Sequence, residues 1–566
     1  MIKRLFSGQI NSITGAALLV ALSSLISRFL GVFRDRILAG EFGAGDTLDI
    51  YYAAFRVPDL IFNLLVLGAI SAGFIPIITC LIRDPLCRIR TMFSESPNRE
   101  AWELVSNILN VLGLVLLVLS GLGILFAPGL TKLIAPGFSP EKQALTVALT
   151  RIMFLSPVFL GISSVLGGVL QSYKRFFVYS LAPIMYNIGI IVGALYFTPR
   201  WGIYGLAWGV VFGAALHMLI QLPAVISLGF RYQPIIDLKN SNFRRIAVMM
   251  LPRTMSLGIS QINLVVITII ASTLASGSLT VFNFANNLQF FPVSIFGISF
   301  AVAAFPALAA SAFDKKKLIS DFSNIFRQIL FFIMPAAVLL LTLRAQIIRV
   351  ILGTGRFNWE DTIRTIDTLG FFIISLFAQA ALPLLVRVFY ARHNSKTPFY
   401  VGLIAAGVNV ILSLWLPKLT FCREILGSGG EVINECMPLG VAGLGLAFSI
   451  ASILNFIMLW LVLRSEIGNL DEARILISTV KFSAAAIAAG LAVQGMKLVV
   501  WPYIDMTRVW GVFTQGFIAG MSGILVYLAF CSLLKSEELF AFWQSFRKRI
   551  PWKKIDTGDH TEARGV

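Results

Sequence analysis

Long apolar runs separated by short polar breaks fill the chain from residue 14 to residue 534. A bilayer core of about 30 Å takes roughly 20 apolar residues wound as a helix. Counted that way, the chain makes about fourteen spans, an all-α polytopic membrane protein. Six lie near 14–38, 50–82, 102–127, 147–171, 178–198 and 202–228. Six more lie near 245–275, 279–312, 321–343, 361–391, 398–417 and 438–464, and two last ones near 473–500 and 508–534. Runs longer than about 25 residues imply tilt or projection beyond the bilayer, not extra spans.

One alignment suggests an internal repeat. Phe55-Arg56…Phe74-Ile75-Pro76 matches Ala285-Asn286…Ala304-Phe305-Pro306 at an offset of 230 residues (285 − 55). Each segment is the second helix of a six-helix block, and two parallel blocks plus two helices are a transporter layout. The blocks span 1–230 and 231–468. A helix pair over 469–535 and a basic tail over 536–566 follow.

Composition agrees with the pattern. The 566 residues are 57% hydrophobic and 13% charged, against roughly 25% charged in soluble domains. A disordered chain, a collagen and a small disulfide scaffold are excluded. The excess of bases, 46 − 28 = +18, does not indicate nucleic acid, because the bases sit in short loops between apolar runs. Roughly 26 fall on the side of both termini and roughly 11 on the other, so both termini are expected in the cytoplasm. The run Arg547-Lys548-Arg549…Lys553-Lys554 fits that bias, and it also fits contact with anionic lipid. The N-terminal apolar stretch outruns a signal peptide and lacks an Ala-x-Ala site, so it reads as an uncleaved first span.

Five cysteines form no C-x-x-C pair and the three histidines are scattered, which argues against a metal site. Cys422 and Cys436 flank the loop 418–437, placed outside, where a disulfide and two free thiols are equally compatible. The sequence holds no Walker loop, nucleophile elbow or clustered loop carboxylates, and no enzyme is expected. Gly427-Ser428-Gly429-Gly430 and Gly353-Thr354-Gly355 read as connectors.

Polar residues inside the spans carry the information, since a charge at a helix centre costs roughly 2.5–3.5 kcal/mol on insertion scales. The first span carries Arg28, Arg34, Asp35 and Arg36, with Asp35 seven residues after Arg28 on nearly the same face. In the second span Asp49, Arg56 and Asn63 recur every seven residues as one polar stripe, and Asp59 stands where it partly neutralises Arg56. Two such helices suit a cationic, water-accessible chamber, because the arginine fork matches phosphate oxygens. Snorkelling and helix-fixing ion pairs are the competing reading. The second block offers amides instead, Asn283, Asn286, Asn287 and Gln289. These either tie helices together or line the cavity.

The motif Ser27-Arg28-Phe29-Leu30-Gly31-Val32-Phe33-Arg34-Asp35, then Phe42-Gly43-Ala44-Gly45…Asp49…Ala54-Phe55-Arg56-Val57-Pro58, resembles the signature of the bacterial lipid II flippase family MurJ (MviN). Gly68-Ala69…Ser71…Phe74-Ile75-Pro76, Ala135-Pro136-Gly137-Phe138, Gln221-Leu222-Pro223, Ser260-Gln261-Ile262, Gly355-Arg356-Phe357 and Lys396-Thr397-Pro398 continue the likeness in family order. The resemblance implies the fold of the MOP exporter superfamily: two six-helix lobes around a central cavity, with two final helices forming a groove for the lipid tail. It implies alternating-access transfer of undecaprenyl-pyrophosphate-linked peptidoglycan precursor to the outer leaflet of the bacterial inner membrane. Arg28, Arg34, Asp35 and Asp49 match family cavity positions, and Arg56 stands where a base is common. No cofactor is implied beyond an ion gradient or membrane potential. The implied partners are the lipid-linked pyrophosphate and membrane lipids, with cell-wall synthesis machinery a further candidate.

The chain departs from some members, with Phe62 and Leu67 in place of Arg and Glu, and Asn286-Asn287 in place of Asp-Arg. The competing expectations are another exporter of the superfamily, a membrane enzyme acting on polyprenyl phosphates, and a non-transporting scaffold.

Overall fold

The computed structural model describes residues 13–67, 73–83, 99–426 and 432–549. The loop 84–98, the Gly427–Gly430 turn and the tail beyond 549 lie outside them. The first block runs α1 (Ile13–Phe42), α2 (Asp46–Phe62), α3 (Ile75–Arg83), α4 (Arg99–Ile134), α5 (Pro140–Met153), α6 (Ser156–Ser172), α7 (Phe176–Val192) and α8 (Tyr204–Leu219). The second runs α9 (Ser241–Ser272), α10 (Ser278–Pro292), α11 (Ser299–Ala310), α12 (Lys315–Thr342), α13 (Arg344–Ile351), α14 (Trp359–Ile374), α15 (Leu376–Ala391), α16 (Lys396–Trp415) and α17 (Val441–Ile467). The chain closes with α18 (Glu472–Val500), α19 (Val509–Leu533) and α20 (Glu537–Arg549).

Ten described helices are long and apolar enough to cross a bilayer, eleven if α14 and α15, bent by 46°, make one span. That measure does not reach the fourteen expected. The shortfall falls on α1, on α2 with α3, and on α9, each of which carries ionised side chains within its length.

The repeat has a backbone signature. A π-helical turn follows α2 at Asn63–Leu67, and another follows α10 at Val293–Ile298. Their starts differ by 293 − 63 = 230 residues, the offset of the sequence alignment.

β1 (Thr420–Leu426) and β2 (Val432–Pro438) form an antiparallel hairpin between α16 and α17. Its register sets Cys422 opposite Cys436; their side chains lie outside the described residues.

The apolar core shows how the blocks meet. At the end where α1 finishes and α2 begins, here the upper end, one cluster draws on both blocks. It joins Leu38 and Leu48 to Ile270, Phe282, Leu369 and Phe372. Below it the core divides. One cluster holds first-block residues such as Phe74, Val105 and Leu166. Another holds Leu330, Leu384 and Leu463 together with Phe482 and Tyr527 of the last helix pair. Burial of apolar side chains therefore joins the halves above and leaves them separate below. α9 bridges the gap: Ile246 packs in the first-block cluster, and the Thr254 hydroxyl donates to the Leu64 carbonyl at 3.1 Å.

The upper junction is a backbone-to-backbone fit. Arg356 N donates to the Gly40 carbonyl at 2.8 Å, and a Cβ added at Gly355 (φ +54°) would lie 2.2 Å from that oxygen. Gly277 has φ +80°, and a Cβ there would lie 1.8 Å from the Ala44 oxygen. Gly353-Thr354-Gly355 is the connector expected from sequence, joining α13 to α14, and it is also part of the seal between blocks.

Gly277→Ala combines a left-handed backbone with a clash across the junction. It is expected to destabilise the protein by about 1–3 kcal/mol, read as a fall in the thermal midpoint of the purified chain. An unchanged midpoint would mean that the junction is looser than described.

Candidate functional site

The charged residues of α1 and α2 sort by depth beneath the seal. At 1.5 Å per helical residue, Asp49 lies ~6 Å below Gly45, Arg34 ~12 Å below Phe42, Arg56 ~16 Å below Gly45 and Arg28 ~21 Å below Phe42. Each layer has its own partners.

In the top layer, α10 starts after Gly277, which has no side chain to cap it. Asp49, only 4% exposed, supplies the cap from the opposite block. Its Oδ2 accepts from Gly277 N at 2.7 Å, and its Oδ1 accepts from Thr280 N at 2.8 Å and from the Thr280 hydroxyl at 2.6 Å. A carboxylate at a helix N-terminus also gains from the helix dipole. Three neighbours repeat the theme. Asp46 accepts from Ser276 and pairs with Lys142 at 2.5 Å. Asp361, in the capping box of α14, accepts from Ala44 N at 3.2 Å. Arg364 donates to the Ser276 carbonyl at 2.8 Å and to the Ser278 hydroxyl at 3.0 Å. Arg36 reaches across to the Val350 and Ile351 carbonyls at the end of α13.

The middle layer is neutral overall. Arg34 turns its fork onto the adjacent Asp35 (2.8 and 3.1 Å) and donates to Asn187 of α7 at 3.1 Å. The other Asp35 oxygen accepts from Asn287 of α10 at 2.8 Å. Asp35, on nearly the same face as Arg28, pairs with its neighbour Arg34. Arg34 is spent on holding α1, α7 and α10 together.

The deepest layer keeps its charge. Arg28 is half-buried with its guanidinium 5.8 Å from the centre of the Phe290 ring. Arg56, 8% exposed, uses Nε on the Thr268 hydroxyl at 2.9 Å. Among the described residues no carboxylate forms a direct ion pair with either, but Asp59, buried one turn on, acts on Arg56 through space, the partial neutralisation expected from their spacing. Asn63 donates to its own helix at the Asp59 carbonyl.

The repeat makes the asymmetry concrete. At the offset of 230, Arg56 and Asp59 correspond to Asn286 and Gln289, and Gln289 donates to Asn286 at 3.0 Å. A charge pair in one block is an amide pair in the other.

Asp49 and Asp35, read from sequence as cavity residues, are thus occupied by contacts between helices, whereas Arg28 and Arg56 remain available. Sequence reasoning missed Asn187, Asp46, Asp361 and Arg364. The Asn358-Trp359-Glu360-Asp361 box was a legible helix start; the others act on partners at least 86 residues away.

The profile of the lipid II flippase MurJ family matches residues 38–514. The lipid II flippase MurJ of Burkholderia cenocepacia is 28% identical over 464 residues, 80% of this chain and 84% of that protein. A probable lipid II flippase MurJ of Thermotoga maritima is 28% identical over 523 residues, 92% and 96% of the two chains. A solved lipid II flippase MurJ in an inward closed conformation superposes with TM-score 0.71 at 24% identity, covering 94% of this chain and all of that one. A MATE family multidrug transporter of the MOP superfamily, inward-facing, gives TM-score 0.62 at 15% identity over 79% of this chain and 96% of its own. An outward-facing MATE structure gives 0.52, at 16% identity and over 83% and 98% of the two chains. At these identities the structural likeness is one of fold.

Asp49→Ala would leave two buried N–H groups of α10 without an acceptor, at about 1–3 kcal/mol each. A loss of several degrees in thermal midpoint is expected. Asp49→Asn, which keeps one acceptor, should lose less. Equal midpoints for Ala and wild type would refute the cap.

Proposed function

The chain belongs to the lipid II flippase family MurJ, and from that premise we propose how its layers of charge handle the substrate. It is a multi-pass membrane transporter whose substrate is lipid-linked and handled within the bilayer. The headgroup pyrophosphate docks on Arg28 and Arg56, and the seal around Asp49 and Gly277 closes the outer side while it does so. The observation that supports this is a core joined above and divided below, with two arginines between that make no direct ion pair among the described residues.

A dianion in a low-dielectric cavity costs many kcal/mol unless cations and donors meet it. Arg28 and Arg56 offer planar forks suited to phosphate. Asn286 and Asn287 add neutral hydrogen bonds on the order of 1 kcal/mol each. The grip is therefore one-sided, on the first block. Positive-inside bias assigns the lower end and both termini to the cytoplasm, so the described state opens inward and belongs to the loading half of an alternating-access cycle.

To release the headgroup outside, the seal must part. Its contacts are separate hydrogen bonds and close backbone approaches between two rigid blocks, a set that breaks together as the blocks rock. An inside-negative potential favours outward movement of net negative charge by about 2.3 kcal/mol per charge per 100 mV. Membrane potential or an ion gradient is the drive this reading calls for. The same orientation sets the hairpin outside, where residues directly opposite on antiparallel strands have Cα separations of about 4.5–5.5 Å, inside the range for a disulfide.

Arg28→Ala and Arg56→Ala are expected to abolish precursor flipping with insertion and thermal midpoint near wild type, and Lys should rescue only partly. Arg34→Ala strands the buried Asp35 and should lower the midpoint, by an amount on the order of 3–5 kcal/mol for a broken buried pair. Flipping assays at matched expression separate the classes; a silent Arg28→Ala would end the proposal. For the hairpin, Cys422 and Cys436 should resist thiol labelling after denaturation without reductant; full labelling of both would rule the disulfide out.

A further inference from the structure

Two cations where the last helix pair meets the second block are left unused by the transport path. α12 finishes at Thr342, and α13 starts at Arg344 after Leu343, whose side chain offers that helix no cap. Lys497, in the last turn of α18, donates from Nζ to the Thr342 carbonyl at 3.2 Å. Its own carbonyl accepts from Gln515 Nε2 of α19 at 3.2 Å, and Gln515 Oε1 accepts from Gln346 Nε2 of α13 at 3.0 Å. Both glutamines are buried, and Leu343, Val493 and Ala519 pack as one apolar cluster in the same junction. The ends of four helices are thus tied together around Lys497.

Arg344 completes the corner. It is half-buried against α14, where a Cβ added at Gly370 would lie 2.6 Å from its Nη1. It stands close enough to Lys497 to act on it through space. Neither cation makes an ion pair among the described residues. The arrangement is costly as it stands. Like charges repel, and more strongly where water is partly excluded. A base at the first residue of α13 faces the positive end of the helix dipole. On the orientation proposed above, α18 ends on the outer side, where topological bias gives no reason for bases. One anion held between the two side chains relieves the repulsion and the unfavourable dipole together.

The depth of the pair says which anion is at hand. Trp501, one turn past Lys497, is exposed, as are Tyr503 and Trp510. Such a belt of aromatic rings marks the level of the headgroups. Leu491 and Leu498, seven residues apart on one exposed face of α18, give acyl chains a track beneath it.

We propose that Arg344 and Lys497 bind the phosphate of an anionic phospholipid of the outer leaflet, which clamps α12 and α13 to the last helix pair. The arginine fork takes two phosphate oxygens, and the lysine adds a compact charge from the side of α18.

The test titrates the delipidated full-length protein in detergent with phosphatidylglycerol, phosphatidylcholine or inorganic phosphate, counting bound lipid by native mass spectrometry. The tightest site should hold phosphatidylglycerol about tenfold more strongly than phosphatidylcholine, and that lipid should raise the thermal midpoint. Arg344→Gln combined with Lys497→Gln should lose the preference at an unchanged lipid-free midpoint, because Gln at 497 still has a donor for Thr342. Lys497→Arg, which keeps the charge, should retain most of it. Equal affinity for the two lipids, or a preference that survives in the Gln pair, would overturn the site. Loss in Lys497→Arg as complete as in the Gln pair would show that charge is not what binds, and would overturn it too. A midpoint raised by inorganic phosphate as far as by phosphatidylglycerol, in wild type and not in the Gln pair, would overturn the lipid assignment in favour of a soluble anion. Binding is read without flipping, so the outcome is independent of headgroup docking on Arg28 and Arg56.

Discussion

A carboxylate buried at the end of a membrane-spanning helix has to find donors inside the protein, because bulk water is excluded from the packed junction. Asp49 finds them in the other block, at the bare N-terminus of α10, where Gly277 and Thr280 present their N–H groups. Each group solves the other's problem: the helix end needs an acceptor and the acid needs donors. The close backbone approaches at Gly277 and Gly355 follow from that docking, since any side chain there would hold the blocks apart. With the upper end fixed in this way, the apolar core divides below it.

The same accounting separates two kinds of arginine. Arg34 and Arg36 spend their donors on Asp35, Asn187 and the end of α13, and they fix helices. Arg28 and Arg56 make no direct ion pair among the described residues, and with Asp59 as the one acid acting on Arg56 the layer keeps a net positive charge, which is costly there. A family whose substrate carries a pyrophosphate gives that cost a use. The amide pair Asn286–Gln289 stands at the repeat positions of Arg56 and Asp59, so the two blocks differ there in charge.

Much of this was legible in one dimension. Apolar runs of bilayer length give helices, because the bilayer leaves the backbone few other ways to satisfy its hydrogen bonds. The offset of 230 residues reappears as paired π turns. The polar stripe of α2 survives as three side chains with separate partners, Asp49 on α10, Arg56 on Thr268 and Asn63 on its own helix. Packing added what spacing does not show. Asp35, on the face of Arg28, is held by its neighbour Arg34, and the Gly353-Thr354-Gly355 connector also lies against Gly40.

The sequence by itself determined the membrane class, the span pattern, the repeat and the set of intramembrane charges, because each is a local property of composition and spacing. Tertiary structure decided which charges are neutralised. Asp49 and Gly277 are 228 residues apart, Arg34 and Asn187 are 153 apart, and Arg56 and Thr268 are 212 apart. No periodicity reaches over such distances. Whether an arginine serves a ligand or a helix depends on what folding brings within about 3 Å of its nitrogens, and that is fixed only when the two blocks close on one another.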